Sequence, residues 1–168
     1  MTESNKPTEY LIAVDEASAA GLSLATIIAG RRCYSCRQGN PDEMADSDPT
    51  PLIERIASEC SGTSDYLLPD TPLKEAIFRE ILAGGNEPRT AEDISEALSA
   101  RWAMATYPRD IASEVIDSLL AHSQGYGVAA VPQEQPDEEP EETANEPSEP
   151  ADAVFEGGGE PGDAGDHS

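Results

Sequence analysis

The chain has 168 residues and a formal net charge of −24 at pH 7, which is enough sequence for one ordinary domain or a small pair. Because a chain this acidic is repelled by phosphate groups, direct binding to nucleic acids or to anionic membrane surfaces is not expected. No segment approaches the ~20 apolar residues that span a bilayer. The three cysteines, an odd number without a recognisable export signal, predict a reducing cytoplasmic location rather than a disulfide framework.

The N-terminal third mixes short candidate elements with turn-forming residues. "EYLIAV", residues 9–14, predicts a strand because its apolar side chains alternate. "LSLATIIAG", residues 22–30, predicts either a helix or a buried strand, since so short a run does not distinguish them. The Gly, Asn, Asp and Pro residues of 38–51 predict a loop, and "TPLIERIASEC", residues 50–60, predicts a helix with Thr50 as its N-cap.

The stretch "RRCYSCRQGN", residues 31–40, carries the most specific chemical signal of the chain. Cys33 and Cys36 form a C-x-x-C pair, whose two thiolates can share a tetrahedral zinc ion at about 2.3 Å from each sulfur. Gly39 suits the backbone bend of a zinc knuckle, and the three flanking arginines favour thiolate formation. The stretch therefore predicts half of a zinc site.

The other half is less well defined by the sequence. Cys60 can supply a third sulfur, but it also follows Ile53 and Ile56 along the apolar face of its own helix, so packing in the core is an alternative role. His122 is the best candidate for the fourth ligand because closed structural zinc sites use Cys or His, although a histidine at a helix C-terminus is also favoured by the helix dipole. Weaker candidates are water and the carboxylates of Asp42, Glu59 and Asp65. The predicted cofactor is zinc, and the predicted ligands are Cys33, Cys36, Cys60 and His122.

Other chemistries of the cysteines remain open alternatives. A thioredoxin-like fold is disfavoured because Gly39, Asn40 and Pro41 leave no room for the helix that such folds place after the pair. A simpler redox sensor, in which Cys33 and Cys36 cycle between dithiol and disulfide, stays open as the alternative function. An iron–sulfur cluster normally needs four cysteines, and no histidine lies in a setting that favours a nucleophilic enzyme.

Residues 70–132 have the pattern of three helices and a strand. The first predicted helix is capped by Thr71, and the second is capped by Thr90 with acidic residues in its first turn. The third begins at Pro108, and "YGVAAV", residues 126–131, predicts a short strand. This order is typical of a winged helix-turn-helix or a related small bundle.

Within this region, "AIFREILAGGNEPRTAEDISEAL", residues 76–98, is similar to the start of a winged-helix domain. Together with the acidic tail, the arrangement resembles the delta subunit of bacterial RNA polymerase. The helix that would enter a DNA groove carries Asp110, Glu114 and Asp117 against Arg109 alone, whereas groove-reading helices need Arg, Lys, Asn or Gln. The resemblance therefore implies a winged-helix fold that binds protein. "RWAMATYPR", residues 101–109, is the predicted contact surface.

The last 36 residues, 133–168, contain 13 acidic residues and no Lys or Arg. Their Pro, Glu, Gly and Asp content predicts disorder, because they contain too few apolar side chains to offset the entropy of folding. The predicted fold is mainly α with minor β: a cysteine-containing region at 1–69, a winged-helix-like domain at 70–132, and the acidic tail. The predicted function is a non-enzymatic cytosolic adaptor or regulator, whose protein partner has a basic surface and belongs to the transcription or translation machinery.

Overall fold

The computed structural model describes residues 6–39, 48–107, 109, 111–122 and 126–133. The elements are, in chain order, β1 (Glu9–Ile12), α1 (Val14–Ala19), α2 (Leu24–Ala29), α3 (Tyr34–Gly39), α4 (Thr50–Arg55), a π-helical turn (Ile56–Cys60), α5 (Leu73–Ala83), β2 (Arg89–Thr90), α6 (Ala91–Trp102), α7 (Ser113–His122) and β3 (Val128–Ala130). This confirms the predicted fold class of mainly helix with a small sheet. None of the helices in these ranges combines the length and the apolar composition that crossing a bilayer requires.

Strand β1 is the middle strand of the sheet, although it comes first in the chain. The strand order is β2-β1-β3, and both pairings are antiparallel, with Tyr10 opposite Arg89 on one side and Leu11 opposite Ala129 on the other. Tyr10 and Ile12 are buried, as the alternation within residues 9–14 predicts. The N-terminal segment therefore joins two strands that belong to the C-terminal half of the chain.

Helices α5 and α6 lie where the sequence predicts them. Helix α5 starts at Leu73, one residue later than predicted, and ends at Ala83, directly before Gly84. The side chain of Thr90 accepts a hydrogen bond from the N–H of Asp93, whose carboxylate accepts one from the N–H of Thr90 in return. This reciprocal capping box satisfies two backbone donors at the start of α6.

Helix α7 begins at Ser113 rather than at the predicted Pro108. The carbonyl of Ile111 accepts a hydrogen bond from the Ser95 hydroxyl on α6. Arg109 turns back to the carbonyls of Pro69 and Thr71. These tertiary contacts hold Arg109 and Ile111 against other parts of the chain. They therefore outweigh the local preference for a helix that the sequence indicates here.

Two corrections concern the region around the cysteines. Residues 38 and 39 belong to helix α3 rather than to the predicted loop, and residues 40–47 lie outside the described ranges. Thr50 is the first residue of helix α4 rather than its predicted N-cap, and its N–H donates to the side chain of Asp48. The helix continues into the π turn, where the N–H of Ser61 bonds to the carbonyl of Ile56, five residues back.

A single hydrophobic core contains side chains from both sides of the predicted boundary between residues 69 and 70. It is built around the fully buried residues Ile12, Ile28, Ile56, Phe78, Ile81, Ile94, Leu98 and Ile116, together with Trp102. The ion pair between Arg31 and Glu75 crosses the same boundary. The compact unit ends at Gln133. Residues 134–168 lie outside the described part of the chain, so their predicted disorder stays a prediction.

Candidate metal centre

Three cysteine side chains converge at one point of this unit. The Sγ atoms of Cys33, Cys36 and Cys60 all lie within 4.8 Å of one another. Cys33 immediately precedes α3, Cys36 lies in the first turn of α3, and Cys60 is the last residue of the π turn. The chain thus brings together sulfurs from two elements that are separated by more than 20 residues.

This spacing fits one metal ion. Tetrahedral zinc with bonds of about 2.3 Å to sulfur requires sulfur atoms roughly 3.8 Å apart, so an adjustment of about 1 Å or less brings three such atoms into position. Iron–sulfur clusters normally use four cysteines, one more than this group contains. The arrangement can therefore hold a mononuclear metal ion through three thiolates.

Backbone hydrogen bonds attach the start of α3 to this point. The N–H of Cys33 donates to the Sγ of Cys60 at 3.3 Å, and the N–H of Tyr34 donates to the carboxylate of Asp65 at 2.9 Å. No side chain of α3 itself is buried, although Cys33 just before it is. The helix is therefore held to the protein chiefly through the cysteines and these first amides.

The three thiols differ in acidity. Burial raises the pKa of Cys36 to about 12, and hydrogen bonds with the thiols of Cys33 and Cys60 and with the Glu59 carboxylate add to this effect. The pKa of Cys60 is also raised, chiefly by burial. Burial acts in the same direction on Cys33, but hydrogen bonds from the N–H of Cys36 and from the other two thiols outweigh it and lower the pKa of Cys33.

One side of the cluster faces solvent. Cys33 and Cys60 are buried, whereas Cys36 is half-buried beside a shallow surface depression that Ser35, Gly39, Arg55 and Glu59 line with it. The thiol of Cys36 donates to Oε2 of Glu59 over 3.5 Å. The other carboxylate oxygen of Glu59 lies 4.0 Å from Nε of Arg55.

Among the described residues, the structure brings together the three predicted cysteine ligands but not His122. His122 lies at the C-terminus of α7, where its Nδ1 is 2.7 Å from the carbonyl oxygen of Ser118. It lines a different depression, together with Pro7 and Glu92. Cys60 combines both roles that the sequence left open, since it is fully buried in the core and also belongs to the cluster.

The expectation that residues 39–41 leave no room for a helix after the C-x-x-C pair is wrong. Helix α3 starts directly after Cys33, and Gly39 is its last residue rather than the bend of a knuckle. Glu59, one of the weaker candidates from the sequence, accepts a hydrogen bond from Cys36, whereas the π turn that carries it has no signal in the sequence pattern. Hydrophobic periodicity contains no signal for a short exposed helix, because such a helix has no apolar face.

The arginines around the pair have mostly other partners. Arg31 forms an ion pair with Glu75 and lies over the rings of Phe78 and Tyr126. Arg32 is buried and donates to the carbonyl of Ala29. The predicted support of thiolates by arginine therefore does not involve Arg31, whose guanidinium is engaged elsewhere.

A scan against protein-family models, a search of curated proteins and a search of solved structures each found no significant match to this chain.

Proposed function

We propose that the protein is a non-enzymatic adaptor that binds a protein partner and contains a structural zinc ion held by Cys33, Cys36 and Cys60. The convergence of three sulfurs within 4.8 Å is the observation that carries this proposal. Three thiolates favour zinc over the harder magnesium and calcium ions, which prefer oxygen ligands. Because the sulfurs join α3 to the π turn, the ion would stabilise a short helix that has no fully buried side chain of its own.

Charge supports a protein rather than a nucleic acid as the partner. Helix α7, which would be the groove-reading helix of a winged-helix domain, contains Glu114 and Asp117 and no Lys or Arg. The order α5–β2–α6–α7–β3 supports the winged-helix interpretation, although the third strand of the sheet comes from the N-terminal region. The acidic helix α7 would repel the phosphate backbone that a DNA-binding protein must contact.

Exposed apolar side chains support a contact surface between α6 and α7. In the predicted surface at residues 101–109, Met104 is 95% exposed and Tyr107 is 84% exposed. The flanking arginines serve the fold instead, because Arg101 pairs with Glu80 and Arg109 stacks on Trp102. Met and Tyr are enriched in protein interfaces, where each contributes a large contact area.

The zinc proposal is tested by metal analysis of the full chain purified under reducing conditions. We expect about one zinc ion per chain, lost in Cys36→Ser and retained in the matched control Ser35→Ala, because only the first removes a ligand. Ser35 is exposed on the same helical turn. A metal-free wild-type chain that also fails to take up added Zn²⁺ would refute the proposal.

The second candidate is a thiol redox sensor, favoured by the position of Cys33 at the start of α3 and by its lowered pKa. In that role the thiols of Cys33 and Cys36 would form a disulfide, giving two electrons and two protons to an oxidant such as a peroxide or the disulfide of a small thiol. The metal analysis separates the two candidates. Metal-free protein with a measurable disulfide potential supports the sensor, whereas stoichiometric zinc supports the adaptor.

The partner contact is tested by affinity capture with the full chain, a chain ending at residue 133, and Met104→Ser/Tyr107→Ser in the full chain. If the acidic tail binds a basic surface, captured partner should decrease on truncation and as salt rises. If the exposed Met and Tyr contribute, the double variant should capture less partner at equal stability. Capture that is independent of salt and survives the truncation would argue against the role of the tail.

A further inference from the structure

We infer that Glu59 is the fourth ligand of the metal centre, which makes it a three-sulfur, one-oxygen site with its oxygen on the solvent side. This inference rests on the proposed zinc site and specifies how that site is completed. Structural zinc is almost always bound by four ligands, so three sulfurs leave one position to be supplied.

The position of Glu59 is the first support. Its Oε2 accepts the hydrogen bond from Cys36 at 3.5 Å, and it immediately precedes Cys60 in the π turn. Cys60 is fully buried, whereas the side chain of Glu59 is 58% exposed. Cys60 therefore reaches the cluster from the core, whereas Glu59 contacts Cys36 from the surface depression. The Glu59 carboxylate is not in the group of ligand atoms within 4.8 Å of one another, so it would have to move closer to Cys33 and Cys60 when the ion binds.

Two of the other candidate ligands have different partners, and a third, Asp42, lies outside the described residues. The carboxylate of Asp65 accepts the N–H of Tyr34 and so caps the start of α3. His122 lies in another depression, with its ring nitrogen at the Ser118 carbonyl. Within the described ranges, Glu59 is the carboxylate that forms a hydrogen bond with one of the three thiols.

The contact between Cys36 and Glu59 brings together two groups that can both bind a metal ion once their protons are lost. A thiol that donates a hydrogen bond to a carboxylate keeps its proton, and both groups bind zinc when they are deprotonated. Zn²⁺ would replace that proton and those of the other two thiols, so binding one ion to three thiols and one carboxylate releases three protons. The product has a net charge of −2, and the guanidinium of Arg55 next to Glu59 would partly offset it and orient the carboxylate.

The inference is tested by titrating the reduced full chain with Co²⁺ and then displacing it with Zn²⁺, using the visible spectrum of Co²⁺ as a report on its ligands. We expect Glu59→Gln to weaken both ions by about tenfold or more, since even losing an outer-sphere partner of a ligand typically costs roughly 10–100-fold. The matched control is Glu54→Gln, the same change at an exposed position of α4, which should bind like wild type. His122→Asn should also bind like wild type.

A substitution that adds a sulfur gives a second readout. Glu59→Cys should bind Co²⁺ more tightly than wild type and shift its spectrum to that of a four-sulfur site, because a thiolate would take the place of the Glu59 carboxylate. If Glu59→Gln matches Glu54→Gln in both affinity and spectrum, or if Glu59→Cys leaves the spectrum unchanged, Glu59 is not a ligand.

The outcomes separate this inference from the zinc proposal. If the wild-type chain binds neither ion, both fall. If it binds one ion per chain and His122→Asn rather than Glu59→Gln weakens binding, the zinc proposal survives and the assignment of Glu59 is overturned.

Discussion

The side chain of Asn86 makes hydrogen bonds to strand β1 in place of the backbone groups that the short strand β2 does not supply. Strand β2 has only two residues, and continuing its register would place Pro88, which has no N–H, opposite Leu11. The side chain of Asn86 instead accepts the N–H of Ile12 at 2.7 Å and donates to the carbonyl of Ile12 at 3.0 Å. It does so from a backbone φ of 61°, which Asn tolerates better than most residues.

We therefore expect Asn86→Gly to destabilise the protein by about 2 kcal/mol, because two backbone groups of the middle strand lose their partner while the positive φ stays accessible. Asn86→Ala should cost more, since it adds strain at that φ. Chemical denaturation of the three chains measures both differences. An Asn86→Gly chain as stable as wild type would show that the amide contributes nothing.

A second residue-scale prediction concerns Glu75, which accepts hydrogen bonds from Arg31 and from Arg79. Burial opposes ionisation of Glu75, but these two arginines outweigh it and hold its pKa below the ordinary value of 4.5. The stabilisation is therefore fully present above pH 4.5 and is lost as pH falls through the lowered pKa of the folded state.

Glu75→Gln should cost about 2 kcal/mol at pH 7, where hydrogen bonds to a charged group are lost. The difference in the free energy of unfolding between variant and wild type should become smaller as the pH falls below 4.5. Denaturation at pH 7 and at pH 3 measures this, with Glu54→Gln as the exposed control. A difference that is independent of pH would mean that packing, rather than charge, accounts for the effect.

At the scale of elements, the sequence predicted those whose signals are local. Helix α6 carries its capping box and its apolar stripe within its own residues, and β1 shows simple alternation. Helix α7 was predicted too early because the contacts of Ile111 and Arg109 come from distant segments. Helix α3 was missed because its start is fixed by Asp65 and Cys60, which are far away in the sequence.

Helix α3 should therefore depend on the metal more than any other helix. With no buried side chain of its own, it has little to hold it once the sulfurs are released, so its amides should exchange with solvent roughly tenfold faster or more in metal-free protein. Hydrogen exchange of the zinc-loaded and zinc-free chains measures this, and the amides of α6 serve as the internal control. Equal protection of α3 in both states would show that the metal does not hold it.

At the scale of the whole molecule, hydrophobic periodicity indicates which faces are apolar but not which faces meet. The pattern therefore identified the apolar stripes of α5 and α6 without indicating that residues such as Ile28 and Ile56 complete the core against them. The same limit applies to the metal centre. Three cysteines could be named as ligands from their type and spacing, whereas Glu59 was one of several weaker candidates, because its contact with Cys36 depends on how the π turn packs.

The shared core leads to a prediction about the predicted domain boundary. A fragment of residues 70–133 lacks β1, the middle strand of the sheet, and lacks the carbonyl of Leu67 that accepts the Nε1–H of Trp102. We expect this fragment to lose the native near-ultraviolet circular dichroism of Trp102, the only tryptophan of the chain, and to unfold without cooperativity. The chain 1–133 should keep both, because every residue of the described core precedes residue 134.

Adding the separate fragment 1–69 to the fragment 70–133 should restore the circular dichroism signal of Trp102 if the two halves complete one core. A fragment 70–133 that unfolds cooperatively with a native Trp102 spectrum would instead establish an independent domain there.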